Sequence, residues 1–479
     1  MFDTILLNAF TVLLISYVIA RNSRLADPRV SLTRYLFGGN NQILAVSSNV
    51  GSLLSIAIVV NIYYVGLFGY GLITLASLTA GLVFAYLALY FGVRRIVRRG
   101  VFPRLKHSTY AEVLTTLGTR RHAFMNCLFL IQYAIVIVSE FAVLNALVSA
   151  LFPSSLAGPV VATVVGILCA TYTTVGGYSG VLRTDLFQLL VFFSGCIYIT
   201  IRSETSAVDL VLTELSDKNF VWTDTLPPLT FAIMTAVAFF AFPDVWIRNI
   251  SSLNVKRDSR VLWIAVSLIL LLVLMGPITT VALHALSVQD GFDMRYDVPR
   301  THQQVMSVFQ ASAILRHDPF ALWFVIASVL CVFVTTIDTW LIGTMQHLRL
   351  LKLKHATELI SLTPFVIVLA SVAISTLVRD KIILVVGLFV FPFLFFNMLC
   401  FLLQVFPSIK RDHSWIDVSV ALLSGILLTA TLIWLNFETL EEVPYAVILY
   451  SGVAVLAVFA AGVLIRAIAR LRMPGARAK

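Results

Sequence analysis

Long apolar runs alternate with short polar segments along almost the whole sequence. A helix needs about 20 largely apolar residues to cross a bilayer, because hydrocarbon cannot satisfy bare backbone groups. This pattern predicts thirteen membrane-spanning helices, at about 4–20, 43–67, 70–93, 122–149, 158–175, 184–201, 228–247, 261–283, 321–345, 357–378, 382–406, 416–435 and 444–465. The first run has neither a basic leader nor a small-residue cleavage site, so we expect a retained helix rather than a signal peptide.

The basic residues predict how these helices are oriented. With the N-terminus outside, 27 of the 34 Lys and Arg residues fall on the cytoplasmic side. Positive charge accumulates in cytoplasmic loops, so thirteen spans with an outside N-terminus and a cytoplasmic C-terminus are self-consistent. We therefore expect an integral protein of a plasma (inner) membrane. Because the charges are spread over many short loops, nucleic acid is not an expected partner.

Composition supports this class. The chain of 479 residues is 59% hydrophobic and 12% charged, with a mean hydropathy of +0.95, whereas soluble domains are about half apolar and about a quarter charged. The five cysteines lie in apolar runs without CxxC or Cys/His spacing, so neither a disulfide nor a metal site is predicted. Without a Walker, Ser/His/Asp or His-rich pattern, neither an enzyme nor a cofactor is expected.

Three acidic residues fall inside predicted spans, where ionisable groups are costly and mark functional sites by default. Glu140 lies deep in the fourth span, which favours a functional or proton-binding role over a structural one. Asp244 and Asp338 lie in the seventh and ninth spans, closer to the predicted cytoplasmic interface. For both of them, helix capping or pairing with a basic loop is an equally open interpretation.

Two spans contain residues that disrupt helices. Residues 49–55 read Asn-Val-Gly-Ser-Leu-Leu-Ser, and residues 239–243 read Phe-Phe-Ala-Phe-Pro. Interrupted helices form ion and substrate sites in many transporters, because their carbonyl oxygens are exposed. Thr335 and Thr336 add two adjacent hydroxyl oxygens, and hard cations prefer oxygen ligands. Such threonines often simply bond back to their own helix.

Three segments resemble a known family. Residues 172–188 read Tyr-Thr-Thr-Val-Gly-Gly-Tyr-Ser-Gly-Val-Leu-Arg-Thr-Asp-Leu-Phe-Gln. This run resembles the signature of the sodium/solute symporter family, in which a Gly-Gly turn precedes Thr-Asp and then a Gln three positions on. Residues 243–248 resemble the end of the family's seventh helix, and residues 334–339 its Ser-Thr-x-Asp-Ser stretch in the ninth. The matching gating or structural residues are Gly176, Gly177, Arg183, Thr184, Gln188 and Arg248.

The resemblance implies an all-α, leucine-transporter-type fold forming a single transporter domain. It would comprise a leading helix and basic loop (1–42), a five-plus-five inverted repeat (43–201 and 228–406), and two trailing helices with a short basic tail (407–479). By position, the family's sodium site would use carbonyls of Ser52, Ser55 and Val332 and the hydroxyls of Thr335 and Thr336, with the charge of Asp185 nearby.

Departures from the family bear on the solute. Leu54 stands where some members carry an acidic or amide residue. Four further positions are polar or Trp in sugar- and proline-carrying relatives, and in this sequence they are Ile56, Ile58, Thr235 and Phe239. A sugar is therefore disfavoured, and a compact, partly apolar solute such as an amino acid or organic acid is expected. The expected pocket comprises Asn49, Glu140, Thr235 and Phe239.

The sequence thus predicts a secondary active transporter that couples a small organic solute to sodium by alternating access. Its expected partners are the solute, the sodium ion and the lipid bilayer. Two alternatives stay open: a proton-coupled symporter, and a transporter-like sensor that binds solute without net flux and signals to an unknown partner. The short segment after Arg470 argues against an attached signalling domain.

Overall fold

The computed structural model describes residues 2–24, 28, 31–38, 42–51, 72–96, 122–151, 156–202, 319–349, 356–377, 388–405, 415–436 and 444–472, with short pieces between 208 and 282. Within these ranges every regular element is a helix. The helices are α1 (Phe2–Ser23), α2 (Leu32–Phe37), α3 (Gln42–Gly51), α4 (Leu72–Ile96), α5 (His122–Leu151), α6 (Ala157–Arg202), α7 (Pro319–Leu348), α8 (Ala356–Leu377), α9 (Val390–Val405), α10 (Trp415–Leu435) and α11 (Pro444–Arg472).

Helices long and apolar enough to cross a bilayer dominate the described residues. Seven helices meet that criterion, and α6 alone is 46 residues long. The predicted spans at 228–247 and 261–283, and much of the one at 43–67, lie mostly outside the described residues. The all-helical, polytopic architecture is therefore confirmed, while the number of thirteen spans stays a prediction.

The helix α7 lies at the centre of the bundle. It packs against α6, α5, α1, α8 and α3, and nearly all of its span Trp323–Leu348 is buried. By contrast, α10 and α11 bury only about a third of their spans and expose apolar side chains such as Leu427 and Leu464. A helix that is apolar all round lies either inside a large bundle or in contact with lipid. The helix α7 is of the first kind, and α10 and α11 are of the second.

A glycine divides α6 into the predicted fifth and sixth spans. Gly177 has a φ of 59° and a ψ of −159° in an otherwise helical stretch, a backbone region open essentially to glycine alone. The sequence predicted a longer join, from 176 to 183. Only Gly177 departs from helix, because one residue in this conformation suffices to kink the chain.

A six-residue helix that the sequence analysis treated as part of a basic loop closes this kinked end of the bundle. In α2, the hydroxyl of Tyr35 donates to the Thr174 carbonyl across 2.5 Å. The side chain of Gln346, near the end of α7, donates to the Leu36 carbonyl at 2.7 Å. The Arg349 guanidinium lies 4.7 Å from the centre of the Phe37 ring. The α2 helix thus ties the α6 kink to the end of α7.

Candidate functional site

The paired threonines of α7 lie in the interior of the bundle. Thr335 and Thr336 are 3% and 2% exposed. The Thr336 hydroxyl donates to the Val332 carbonyl at 3.1 Å, one turn earlier in the same helix. The Thr335 hydroxyl instead donates to the side-chain oxygen of Gln188 in α6, at 2.5 Å. Neither hydroxyl faces lipid, and the Val332 carbonyl lies next to the Thr336 oxygen.

The end of α3 abuts this pair. A Cβ atom placed on Gly51 would lie 3.1 Å from Thr335 Cγ2 and 4.0 Å from the Asp185 carbonyl oxygen. One turn earlier in α3, the Ser48 hydroxyl donates to the Asp185 carboxylate. Three helices therefore converge at this point, which the last described residues of α3 reach. Ser52 and Ser55, the predicted carbonyl ligands that follow, lie outside the described residues.

Two acidic residues are fully buried on either side of the α6–α7 contact. Asp185 of α6 and Asp338 of α7 are both 0% exposed. The Tyr172 hydroxyl donates to the Asp338 carboxylate, and the Thr184 hydroxyl lies 3.5 Å from the same oxygen. Because α7 continues for ten residues beyond Asp338, this carboxylate does not cap the helix end. Capping of that helix end is therefore excluded, while the depth of Asp338 relative to the cytoplasmic interface stays a prediction.

Gln188 joins the two parts of the site. Its amide oxygen accepts from Thr335, and its amide nitrogen lies 3.4 Å from both the Tyr172 hydroxyl and the Ser16 hydroxyl of α1. Ser16 is fully buried. The leading helix therefore contributes a polar group to the interior, which the sequence analysis did not anticipate.

The predicted signature residues divide into two groups. Thr184 and Gln188 contact side chains of α7 and Asp185 accepts from Ser48 of α3, while Gly176 and Gly177 lie at the kink of α6. Gly176 faces Ala20 of α1, where an added Cβ would lie 2.7 Å from the alanine Cβ. Arg183, by contrast, is exposed on the surface, and Arg248 lies outside the described residues.

The expected solute pocket is only partly described. Glu140 is 2% exposed in α5, where the adjacent Phe141 packs edge-on against Phe333 of α7 at 5.1 Å. Since Phe333 precedes Thr335 by two residues, Glu140 lies at a similar depth to the threonine pair. Thr235 and Phe239 lie outside the described residues, and so does the side chain of Asn49.

Tyr172, Ser48 and Ser16 are the polar residues of this site that sequence reasoning missed. Tyr172 begins the signature run, yet its partner Asp338 is 166 residues away. Ser48 precedes the noted Gly and Ser cluster by one turn, which is the only sequence signal for it. Within the described ranges, no group of three His, Cys, Asp or Glu residues is placed to hold a metal ion.

No protein-family model matches the chain, and no curated protein sequence matches it either. Solved structures do share its fold. A Na+-coupled sialic acid symporter, in a substrate-bound outward-open state that reveals a novel Na+ site, aligns with a TM-score of 0.70 and 17% identity over 97% of each chain. An Eremococcus coleocola manganese transporter, in complex with an aromatic bis-isothiourea substituted compound, aligns with a TM-score of 0.51 and 14% identity over 94% of this chain and 97% of that chain.

These likenesses establish the fold of the chain. At such low identities they carry no information on the solute or the coupling ion. The chain has the leucine-transporter-type fold of a polytopic membrane protein, which confirms the predicted fold class. The boundaries of the inverted repeat, the orientation in the membrane and the roles of individual site residues stay predictions.

Proposed function

We propose that this chain is a secondary active transporter that couples the movement of a small organic solute to sodium by alternating access. The observation that carries this proposal is the convergence of α3, α6 and α7 on the buried Thr335–Thr336 pair, with the Asp185 carboxylate alongside. The fold that the chain shares with a solved symporter supports the transport part of this proposal.

The chemistry of the site suits a hard monovalent cation. Sodium would be held by the hydroxyl oxygens of Thr335 and Thr336 and the carbonyl of Val332, with the carbonyls of Ser52 and Ser55 completing the set. Hard cations prefer such oxygen ligands. Burying a carboxylate such as Asp185 is costly unless positive charge or a proton accompanies it, so an ion bound here offsets part of that cost.

Sodium binding would link the two repeats. Ser52 and Ser55 follow α3 in the proposed first repeat, whereas Val332, Thr335 and Thr336 lie in α7 of the proposed second repeat. A bound ion would therefore favour the conformation in which both segments contribute ligands. The membrane potential then supplies about 2.3 kcal/mol per charge for each 100 mV, or about fifty-fold in accumulation. This coupling needs no cofactor beyond the ion itself.

The solute is proposed to be compact and partly apolar, such as an amino acid or an organic acid. Its pocket would include Asn49, Glu140, Thr235 and Phe239. The apolar residues at positions 54, 56 and 58 supply few donors or acceptors for a hydroxyl-rich sugar.

A flux measurement tests the function. The purified chain is screened against small metabolites by thermal shift with and without sodium, and a stabilising compound is then offered as a radiolabelled solute to proteoliposomes. We expect uptake driven by an inward sodium gradient and lost when potassium replaces sodium. Saturable binding without accumulation would instead establish the sensor, with its signalling partner still to be found.

Proton coupling is tested at Glu140, whose carboxylate is buried at the depth of the site. If protons drive uptake through this group, Glu140→Gln removes the pH dependence of uptake, because an amide does not titrate. Glu358→Gln, at an exposed carboxylate of α8, is the matched control and keeps the wild-type pH profile. A Glu140→Gln variant with an unchanged pH profile would eliminate Glu140 as the proton site.

A further inference from the structure

A directional chain of hydrogen bonds runs from the proposed ion ligand Thr335 to the Asp338 carboxylate. The Thr335 hydroxyl donates to the Gln188 amide oxygen at 2.5 Å. The Gln188 amide nitrogen donates to the Tyr172 hydroxyl oxygen at 3.4 Å, and the Tyr172 hydroxyl donates to Asp338. All four side chains are at most 3% exposed, so water does not compete for these bonds.

The carboxylate decides the direction of every bond in this chain. The Tyr172 hydroxyl donates to Asp338, and an ionised carboxylate can only accept. The Tyr172 oxygen is then available as an acceptor, and of the two ends of the Gln188 amide only the nitrogen can donate to it. The amide oxygen must therefore face Thr335, and the Thr335 hydroxyl must donate its proton to it.

A further contact reinforces this amide orientation. The Gln188 nitrogen lies 3.4 Å from the Ser16 hydroxyl of α1, which accepts its second N–H. A flipped amide would place its nitrogen against the Thr335 hydroxyl and its oxygen against Tyr172, and would lose the contact that the carboxylate dictates.

Thr335 differs in this respect from Thr336 and Thr344, two other buried threonines of α7. Thr336 and Thr344 donate to the carbonyls of Val332 and Trp340, each four residues earlier in the helix. This back-bonding is the ordinary behaviour of a helical threonine. At Thr335 the hydroxyl instead donates to a side chain of another helix, Gln188 of α6.

We propose that Gln188 and Tyr172 are positioning residues that turn the proton of Thr335 away from the ion site, with Asp338 supplying the negative charge at the far end of the chain. A cation requires the oxygen lone pairs of Thr335, and a hydroxyl that rotated freely would present its proton instead. Aligned hydrogen bonds also polarise one another in a low-dielectric interior, which makes the Thr335 oxygen a stronger ligand. This inference rests on the proposed sodium function.

Tyr172→Phe tests the chain of bonds without touching any proposed ion ligand. It removes one hydroxyl and keeps the ring, Gln188 and Asp338. We measure the sodium concentration that half-maximally stabilises the purified full chain against thermal unfolding, with potassium keeping ionic strength constant. We expect this sodium concentration to rise roughly five- to tenfold, which corresponds to the free energy of one hydrogen bond to a charged group. The stabilisation at saturating sodium should stay near that of the wild type.

Tyr133→Phe is the matched control. Tyr133 is a fully buried tyrosine of α5 that packs on Trp340 and His347, on a different face of α7 from Thr335. We expect it to bind sodium as the wild type does. A second variant, Gln188→Met, removes both hydrogen-bonding groups of the amide at similar side-chain volume. It should weaken sodium binding at least as much as Tyr172→Phe does, and it replaces Tyr172→Phe in the test if the Tyr172→Phe protein does not fold.

The outcomes separate this inference from the function on which it rests. A wild-type chain that sodium stabilises no better than potassium overturns both proposals. A wild-type chain with a sodium response, alongside Tyr172→Phe and Gln188→Met variants that bind sodium equally well, overturns the positioning role alone and leaves the ion site standing.

Discussion

Thr336→Ala is expected to abolish sodium-stimulated uptake at working sodium concentrations. The substitution removes one buried hydroxyl oxygen from the proposed ligand set and, with it, the side-chain hydrogen bond to the Val332 carbonyl. We expect the half-saturating sodium concentration to rise at least about tenfold, equivalent to ~1.4 kcal/mol of binding energy. Initial rates of uptake into proteoliposomes, measured over a range of sodium concentrations, check this result.

Thr344→Ala provides the control on the same helix. Thr344 is equally buried and makes the same kind of bond, from its hydroxyl to the Trp340 carbonyl at 2.8 Å. The Thr344→Ala variant therefore loses the same kind of local hydrogen bond, at a position two turns further along α7 and away from α3. We expect its sodium dependence to match the wild type, so equal losses in the two variants would trace the effect to helix stability and reject the ion site.

Gly177→Ala is expected to have the largest effect on folding. The φ of 59° with ψ of −159° is a conformation that costs a residue with a side chain ~1–3 kcal/mol. The added Cβ would also lie 2.7 Å from the Tyr35 carbonyl oxygen, which is backbone and cannot rotate away. We therefore expect a much lower yield of monodisperse protein, together with a lower melting temperature measured in detergent.

The comparison for this variant is Gly180→Ala in the same helix. Gly180 is helical, and its added Cβ would lie 3.2 Å from the Ala20 Cβ, so a shift of a few tenths of an ångström accommodates it. We expect only a small loss of stability. If Gly177→Ala melted at the same temperature as Gly180→Ala, the contact between α2 and the α6 kink would not be important for the fold.

Much of the fold was predictable because the bilayer restricts what a chain can do. Runs such as 122–149 and 416–435 correspond to helices within a few residues of the predicted ends, since a backbone in hydrocarbon must bond to itself. The Gly-Gly step at residues 176 and 177 likewise marked the end of one span and the start of the next, although it did not reveal how short the join is.

The candidate site was predictable in part. The signature run and the threonine pair drew attention to Asp185, Gln188, Thr335 and Thr336, and the structure places all four in one buried region. The contribution of α2 to the fold was not predictable, because a six-residue helix has no membrane-spanning pattern. Its position depends on a hydrogen bond between Gln346 and the Leu36 carbonyl, which are 310 residues apart in the sequence.

The sequence by itself determined the class of molecule, a bundle of apolar helices in a bilayer, and the residue types that suit a cation. Only the tertiary structure decided which of those residues meet. Ser16, Tyr172, Gln188, Thr335 and Asp338 belong to three helices and become one hydrogen-bonded chain solely through packing. Hydrophobic periodicity reports which positions avoid water, whereas the partner of a buried hydroxyl depends on how helices rotate and approach one another, which no local pattern encodes.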